Sequence, residues 1–274
     1  MDKRNRNRRS WTWAFFLLAG LSSAVGCAED DGRTPVTEEE LANRAYIVSL
    51  ESDELTVIDL DRLEIVGRVA TAGIANHMAE LNADFTKIYV DSSESDETVV
   101  VDARTLEVVK RIQVGRHPAH LTLTRDGEFL AVMVEDENSI AFLDTRTDAL
   151  VKRLGGFYTP HFMRFSADGL FAYVANIGAH HVTRVDLASL EIDGHIALDG
   201  FDGPPNATPT LGEGGFADVQ VAQDGVLYAA HAATGRVLLY DTTSGQKLPE
   251  IGVGQNPWII FAEHPFPGVA PRYL

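Results

Sequence analysis

From residue 45 onward, apolar residues come in runs of five to seven that are wholly apolar or alternate with polar ones, and the runs recur in groups of four. One run in each group ends in Asp and leads through a polar turn into the next: Asp59 in LTVIDLDRLEIVGRV, Asp102 in TVVVDARTLEVVKRI, Asp144 in IAFLDTRTDALVKRL, Asp186 in VTRVDLASLEIDGHI and Asp241 in VLLYDTTSGQKLPEI. These aspartates lie 43, 42, 42 and 55 residues apart. Short runs of this kind read as strands, and a repeat in the forties holding about four strands predicts a β-propeller. Its blades are four-stranded antiparallel sheets, each unable to bury its faces alone.

Strands A to D run from axis to rim. Blade two reads A from His77 to Leu81, then KIYVD, TVVVD and EVVKRIQV; blade three HLTLT, FLAVMV, IAFLD and ALVKRL. Blade four reads FMRFS, FAYVAN, VTRVD and EIDGHIAL, and blade five DVQVA, LYAAH, VLLYD and the QKLPEI segment. Residues 45–70 supply only B, C and D, while PWIIFAEH supplies one further A strand. Together they would close a five-bladed ring. The following PFPGVAPRYL begins like another B strand and favours a seven- to eight-bladed ring cut short. The Pro/Gly-rich stretch 201–215 explains the long fourth spacing and reads as an inserted loop.

The run VGRHPAHLTLTRDGEFLAVMVEDENSIAFLDTRTDALVKRL resembles the repeat of the YVTN family of propellers: Gly-x-x-Pro, a strand, an Asp-Gly turn, a Tyr-Val-like strand, then a strand ending in Asp. GFYTPHFMRFSADGLFAYVANIGAHHVTRVDLASLEI resembles it equally, including Tyr173-Val174-Ala175-Asn176. The resemblance covers residues 45–274. It implies the propeller fold and kinship with YncE-like periplasmic proteins, lactonase-type propellers and haem d1-binding propellers. Those relatives differ in activity, so the family assigns none.

The N-terminus is a different kind of segment. Lys3, Arg4, Arg6, Arg8 and Arg9 precede an apolar run from Trp11 to Val25, which ends at Gly26-Cys27. This is the pattern of an export signal, and Cys27, the only cysteine, resembles the lipidated residue of bacterial lipoproteins. Residues 1–27 therefore read as a signal peptide, 28–43 as an acidic linker and 44–274 as the propeller, anchored by lipid and facing the periplasm. Soluble periplasmic or secreted protein is the alternative. The chain carries 23 basic and 40 acidic residues, a net charge of −17, and losing residues 1–27 takes away five basic and one acidic residue, leaving −21. So acidic a surface excludes nucleic acid as a partner.

The recurrent aspartates read as turn architecture, since an Asp after a strand accepts backbone N–H groups of the turn. The histidines vary between blades. His77, His120 and His161 lie where a D strand hands over to the next A strand, and are the candidate cofactor-binding residues. His77 and His161 stand seven residues before Asp84 and Asp168, but His120 stands six before Asp126. On a regular strand that offset reverses the side chain, so a symmetric ring of three does not follow.

The B-to-C loops share that face. They add Glu51, Asp53, Glu54, Glu94, Asp96, Glu97, Glu135, Asp136 and Glu137, with His180, His181 and His231 as candidate metal ligands. Imidazoles beside carboxylates suit a transition metal or a haem axial position. No compact motif such as His-Glu-x-x-His occurs, so a polar rim without a cofactor is the simpler expectation. There is no nucleophile elbow or phosphate loop, and the mature body has no cysteine nucleophile. The resulting expectation is a binding or interaction module for a protein or small-molecule ligand at the propeller face. A haem or transition-metal redox propeller is the alternative, and a lactonase-like hydrolase rests on the resemblance alone.

Overall fold

The computed structural model describes residues 36–201, 214–222 and 224–261. Cys27, His264 and the core of the 201–215 insertion lie outside the described residues. The chain divides into two units, Met1–Pro35 and Val36–Leu274, and every described residue belongs to the second.

A single turn of helix, α1 (Glu38–Ala42), opens that unit. Thr37 caps it by accepting the Glu40 N–H at 3.1 Å, while Glu40 accepts the Thr37 N–H at 2.9 Å. Nineteen strands follow among the described residues. Blade one holds β1 (Arg44–Ser49), β2 (Glu54–Asp59) and β3 (Glu64–Ala70); blade two holds β4 (Asn76–Leu81), β5 (Lys87–Ser92), β6 (Glu97–Asp102) and β7 (Val108–Gln113). Blade three holds β8 (Pro118–Leu123), β9 (Phe129–Val134), β10 (Ser139–Asp144) and β11 (Ala149–Gly155). Blade four holds β12 (Pro160–Phe165), β13 (Phe171–Asn176), β14 (His181–Asp186) and β15 (Glu191–Ala197), and blade five β16 (Phe216–Val221), β17 (Val226–His231), β18 (Arg236–Asp241) and β19 (Gln246–Gly252). Every sheet is antiparallel in chain order, four with four strands and blade one with three.

Burial explains the sequence pattern. The second strands β5, β9 and β13 are buried on both faces after their first residue, which is why KIYVD, FLAVMV and FAYVAN read as continuous apolar runs. The outer strands β7 and β11 are mostly exposed, each with one buried residue, Ile112 and Leu154. Apolar clusters join neighbouring blades: Leu55 with Val90 and Val99, Tyr89 with Leu121 and Val132, Phe142 with Met163 and Val174, and Tyr173 with Val219 and Leu238. The inner strands pack in sequence, β4 on β8, β8 on β12 and β12 on β16, with β1 of blade one on β4.

The recurrent aspartates are turn elements. Oδ1 of Asp59, Asp102, Asp144 and Asp241 each accepts two N–H groups of the following turn at 2.8–3.1 Å, and that of Asp186 accepts the Ser189 N–H at 2.8 Å. Four residues after each Asp, the chain turns through a left-handed residue, at Leu63, Leu106, Asp148, Leu190 and Gly245.

One expected strand differs. The described part of PWIIFAEH, Pro257–Phe261, forms no strand, and among the described residues β1 pairs with β2 alone. Instead the Ile260 N–H donates to Asp218 Oδ2 at 2.9 Å, which holds this segment against the inner strand of blade five.

Candidate functional site

The inner strands β4, β8, β12 and β16 each carry a bulge near their N-terminal ends, where they face the second strand of their own blade. Pairs that correspond in all four blades are Ala79 with Val90, Leu121 with Val132, Met163 with Val174 and Val219 with Ala229, although in blades three and five pairing already resumes one place earlier, at His120 with Met133 and Asp218 with Ala230. Two residues precede each pair: His77-Met78, Ala119-His120, His161-Phe162 and Ala217-Asp218. His120 thus stands one place later than His77 and His161. On a regular strand it would point the other way. A bulge sets two successive residues against one partner and re-aims them, and the offset is absorbed.

The three imidazoles consequently form a row across blades two, three and four. The ring centroids of His77 and His120 are 5.0 Å apart, and those of His120 and His161 4.1 Å. Trp258 continues the row 6.0 Å from His161, and Phe162 packs against both His120 and His161 at 4.3 and 4.6 Å.

Each outer member of the row is fixed by the next blade. His161 Nδ1 donates to the Ala217 carbonyl at 2.7 Å, and His77 Nδ1 bonds to the carbonyl of Ala119, the equivalent position one blade on from it. A carbonyl can only accept, so Nδ1 holds the hydrogen and Nε2 of a neutral ring keeps its lone pair. His120 is only 5% exposed, and its Nδ1 has no partner. Burial, followed by the charges that His161, His77 and Arg164 would bring, depresses its pKa to about 2. Burial also lowers that of His161.

Glu135 completes the constellation from a 3₁₀ turn, Glu135–Glu137, between β9 and β10. Ligand atoms of His120, His161 and Glu135 all lie within 4.8 Å of one another. The Glu135 carboxyl is half-buried and its pKa is raised by burial; the His117 ring lies beside it, with Nε2 3.9 Å away. Several other loop carboxylates are engaged locally. Asp53 accepts the Ala75 N–H and Asp96 the His117 N–H, Glu97 pairs with Arg111, and Glu137 with Arg153.

The second group of histidines does not converge on one point. His180 Nδ1 and His231 Nε2 are bonded at 2.8 Å between blades four and five, and His231 Nδ1 bonds the Thr234 hydroxyl at 2.9 Å. Both nitrogens of His231 are therefore in use. His181 turns the other way, 4.4 Å from the ring of His195 and 5.6 Å from Tyr158. Burial lowers the pKa of His181 and of His231 to about 4.

Beyond the row lie further polar groups. Arg164 reaches Gln220 at 3.3 Å and covers the Phe162 ring at 5.3 Å, while the half-buried Glu80 and the buried Asp218 carboxyls have pKa values raised by burial, against the lowering effects of backbone N–H groups and of Arg164. Asp91 is fully buried, accepts the Met78 N–H on Oδ1, leaves Oδ2 without a partner, and is pushed well above the usual carboxylate range by burial. One signal was available. Asp91 and Asp218 stand where other blades carry Met133, Ala175 or Ala230 and Phe162 or Met78.

The description "YNCE-like beta-propeller" matches residues 63–199, half of the chain. The chain belongs to the YncE-like β-propeller family. No curated protein sequence matches it. Among solved structures this YncE-like propeller is similar to Kuenenia stuttgartiensis hydrazine synthase, at 17% identity and a TM-score of 0.55, over 78% of this chain and 85% of that one. It is also similar to the dihydro-heme d1 dehydrogenase NirN in complex with DHE, at 18% identity and a TM-score of 0.53, over 83% of this chain but only 57% of that one. At these identities the likeness concerns the fold.

Proposed function

We propose that this YncE-like propeller is a lipid-anchored binding module of the cell envelope, tethered through Cys27, and that its ligand site is the mouth lined by His77, His120, His161, Glu135 and Trp258. The observation that carries this reading is the histidine row. Four blades spend bulges at one mouth, and two inter-blade hydrogen bonds orient its outer rings with Nε2 free to accept. Such orientation is paid in advance of binding, which is how preformed sites gain affinity. No helix among the described residues is long and apolar enough to cross a membrane, and the proposed attachment is by lipid.

A haem clamped between two of these imidazoles, one form of the haem alternative raised by the sequence, does not fit the row. Its rings touch at centroid distances of 4.1–5.0 Å and leave no slot between them for a flat macrocycle.

The test uses the full chain, immobilised and exposed to the small-molecule fraction of an envelope extract, with mass spectrometry of the eluate. Wild type and Lys152→Ala, a rim change on β11, are expected to retain a compound that His161→Ala loses. Equal retention by all three would move the site elsewhere, and no retained compound would overturn the reading. In the same cells Cys27→Ser is expected to shift the protein from the membrane to the soluble fraction; an unchanged distribution would remove the anchor.

A further inference from the structure

We infer that His120, His161 and Glu135 form a binding site for one divalent transition-metal ion, Zn²⁺ by the character of the ligand set. This inference rests on the reading of the mouth as the ligand site and names what that site holds.

Three independent features of the geometry converge on it. Donor atoms of two imidazoles and one carboxylate, from three elements on two blades, lie within 4.8 Å of one another. Ligands sharing a tetrahedral ion at about 2.0–2.2 Å stand about 3.3 Å apart, so the site closes by rotation of side chains and not of backbone. No side-chain hydrogen bond anchors Glu135 among the described residues, and the His117 Nε2 at 3.9 Å is too far for one.

The second feature is the support behind the ligands. A metal-binding histidine characteristically donates its other ring N–H to a carbonyl or carboxylate, which fixes the tautomer and raises the basicity of the ligating nitrogen. His161 has this arrangement, with Nδ1–H on the Ala217 carbonyl at 2.7 Å and Nε2 left as the base. The third is His120, which is 95% buried by its 5% exposure yet leaves Nδ1 without a hydrogen-bond partner. Buried polar atoms in folded proteins are normally satisfied, and His120, one of the three grouped residues, carries one that is not.

The donor types decide the class of ion. Two nitrogens and one oxygen suit Zn²⁺, Cu²⁺ or Ni²⁺, whereas Ca²⁺ and Mg²⁺ take oxygen shells. Three protein ligands leave a fourth position open, as in sites where a metal holds water or an exogenous donor. The envelope ligand would bind there, with the Trp258 ring flanking it beside His161.

The full chain, extracted in detergent, stripped with a chelator and dialysed against Zn²⁺, is expected to retain about one ion per chain by elemental analysis. His161→Gln and His120→Gln should each weaken Zn²⁺ binding about tenfold or more, and Glu135→Gln severalfold. His195→Gln, on the exposed outer strand β15, should leave it unchanged. Cu²⁺ loaded in place of Zn²⁺ should give an electron paramagnetic resonance spectrum with hyperfine coupling from two nitrogens in wild type and from one in His161→Gln. Circular dichroism checks that each variant is folded, and Glu135→Gln, in a surface turn, keeps the test open if a histidine variant does not fold. Retention well below one ion, or binding unaltered by both His161→Gln and Glu135→Gln, would overturn the site. The two readings fail separately. A compound retained by the metal-free chain that binds no ion removes the metal and leaves the mouth, whereas an ion lost in these variants supports the metal even where no compound is captured.

Discussion

Phe142→Ala is expected to lower the free energy of unfolding by about 3–5 kcal/mol, the largest single effect foreseen for this fold. Phe142 lies in the middle of β10, is fully buried, and belongs to the cluster that joins blade three to blade four through Phe157, Met163 and Val174. Truncation removes the transfer energy of the ring and leaves a cavity that two stacked sheets cannot close without sliding. Met163 lies two residues beyond His161 on β12, so loosening this cluster also loosens the contact between His120 and His161. Urea unfolding checks the magnitude, with Val109→Ala on the exposed outer strand β7 as comparison at about 0.5 kcal/mol or less. A shift in Phe142→Ala no larger than that of Val109→Ala would mean that the blades are not held by this cluster.

Asn176→Ala is expected to cost about 2–4 kcal/mol through lost hydrogen bonds and not through lost volume. Asn176 is fully buried at the end of β13. Its Nδ2 donates to the His181 carbonyl at 3.1 Å and to the Thr183 hydroxyl at 3.0 Å, and its Oδ1 accepts the Tyr158 N–H at 3.0 Å. One amide thereby ties the start of β14 and the junction leading into β12 to the end of β13. Alanine removes those ties in the interior, where replacement by water is unfavourable. Besides the lower stability, hydrogen exchange should quicken from Ile177 to Thr183, the loop that carries His180 into its bond with His231. Protection unchanged across that loop would show the amide to be dispensable.

The fold was largely legible because its signals are periodic. The repeat, the Asp-terminated strand and the continuous apolar second strand each follow from local rules, and the turn bonds of Asp59, Asp102, Asp144, Asp186 and Asp241 carry those rules into three dimensions. The site was legible only in part. A residue count gives the offset of His120 but does not reveal the bulge that cancels it, because bulging depends on how two strands pair. The separation of His181 from His180 is of the same kind, since His180 lies in the bend before β14 and His181 opens the strand. PWIIFAEH has the apolar pattern of a strand, yet its described part follows a single acceptor, Asp218, across the mouth. Arg164 and Asp91 each sit within an otherwise ordinary strand run; aligning the blades singles out Asp91 against Met133, Ala175 and Ala230, whereas nothing in its run marks Arg164.

The central claim is that the mouth is preorganised, with His161 locked as the Nδ1–H tautomer and His120 held neutral in the interior. A depressed imidazole contributes stability that is fully present above its unfolded pKa, about 6.5, and is lost as pH falls toward the folded value. Long-range ¹H–¹⁵N spectra of the histidine rings, followed from about pH 7 down to about pH 4, test this directly. The account predicts an Nδ1–H tautomer for His161, with an unprotonated Nε2, and a His120 ring that stays neutral throughout, in keeping with its pKa of about 2. An Nε2–H tautomer at His161, or a His120 that titrates near 6.5 in the folded protein, would contradict it.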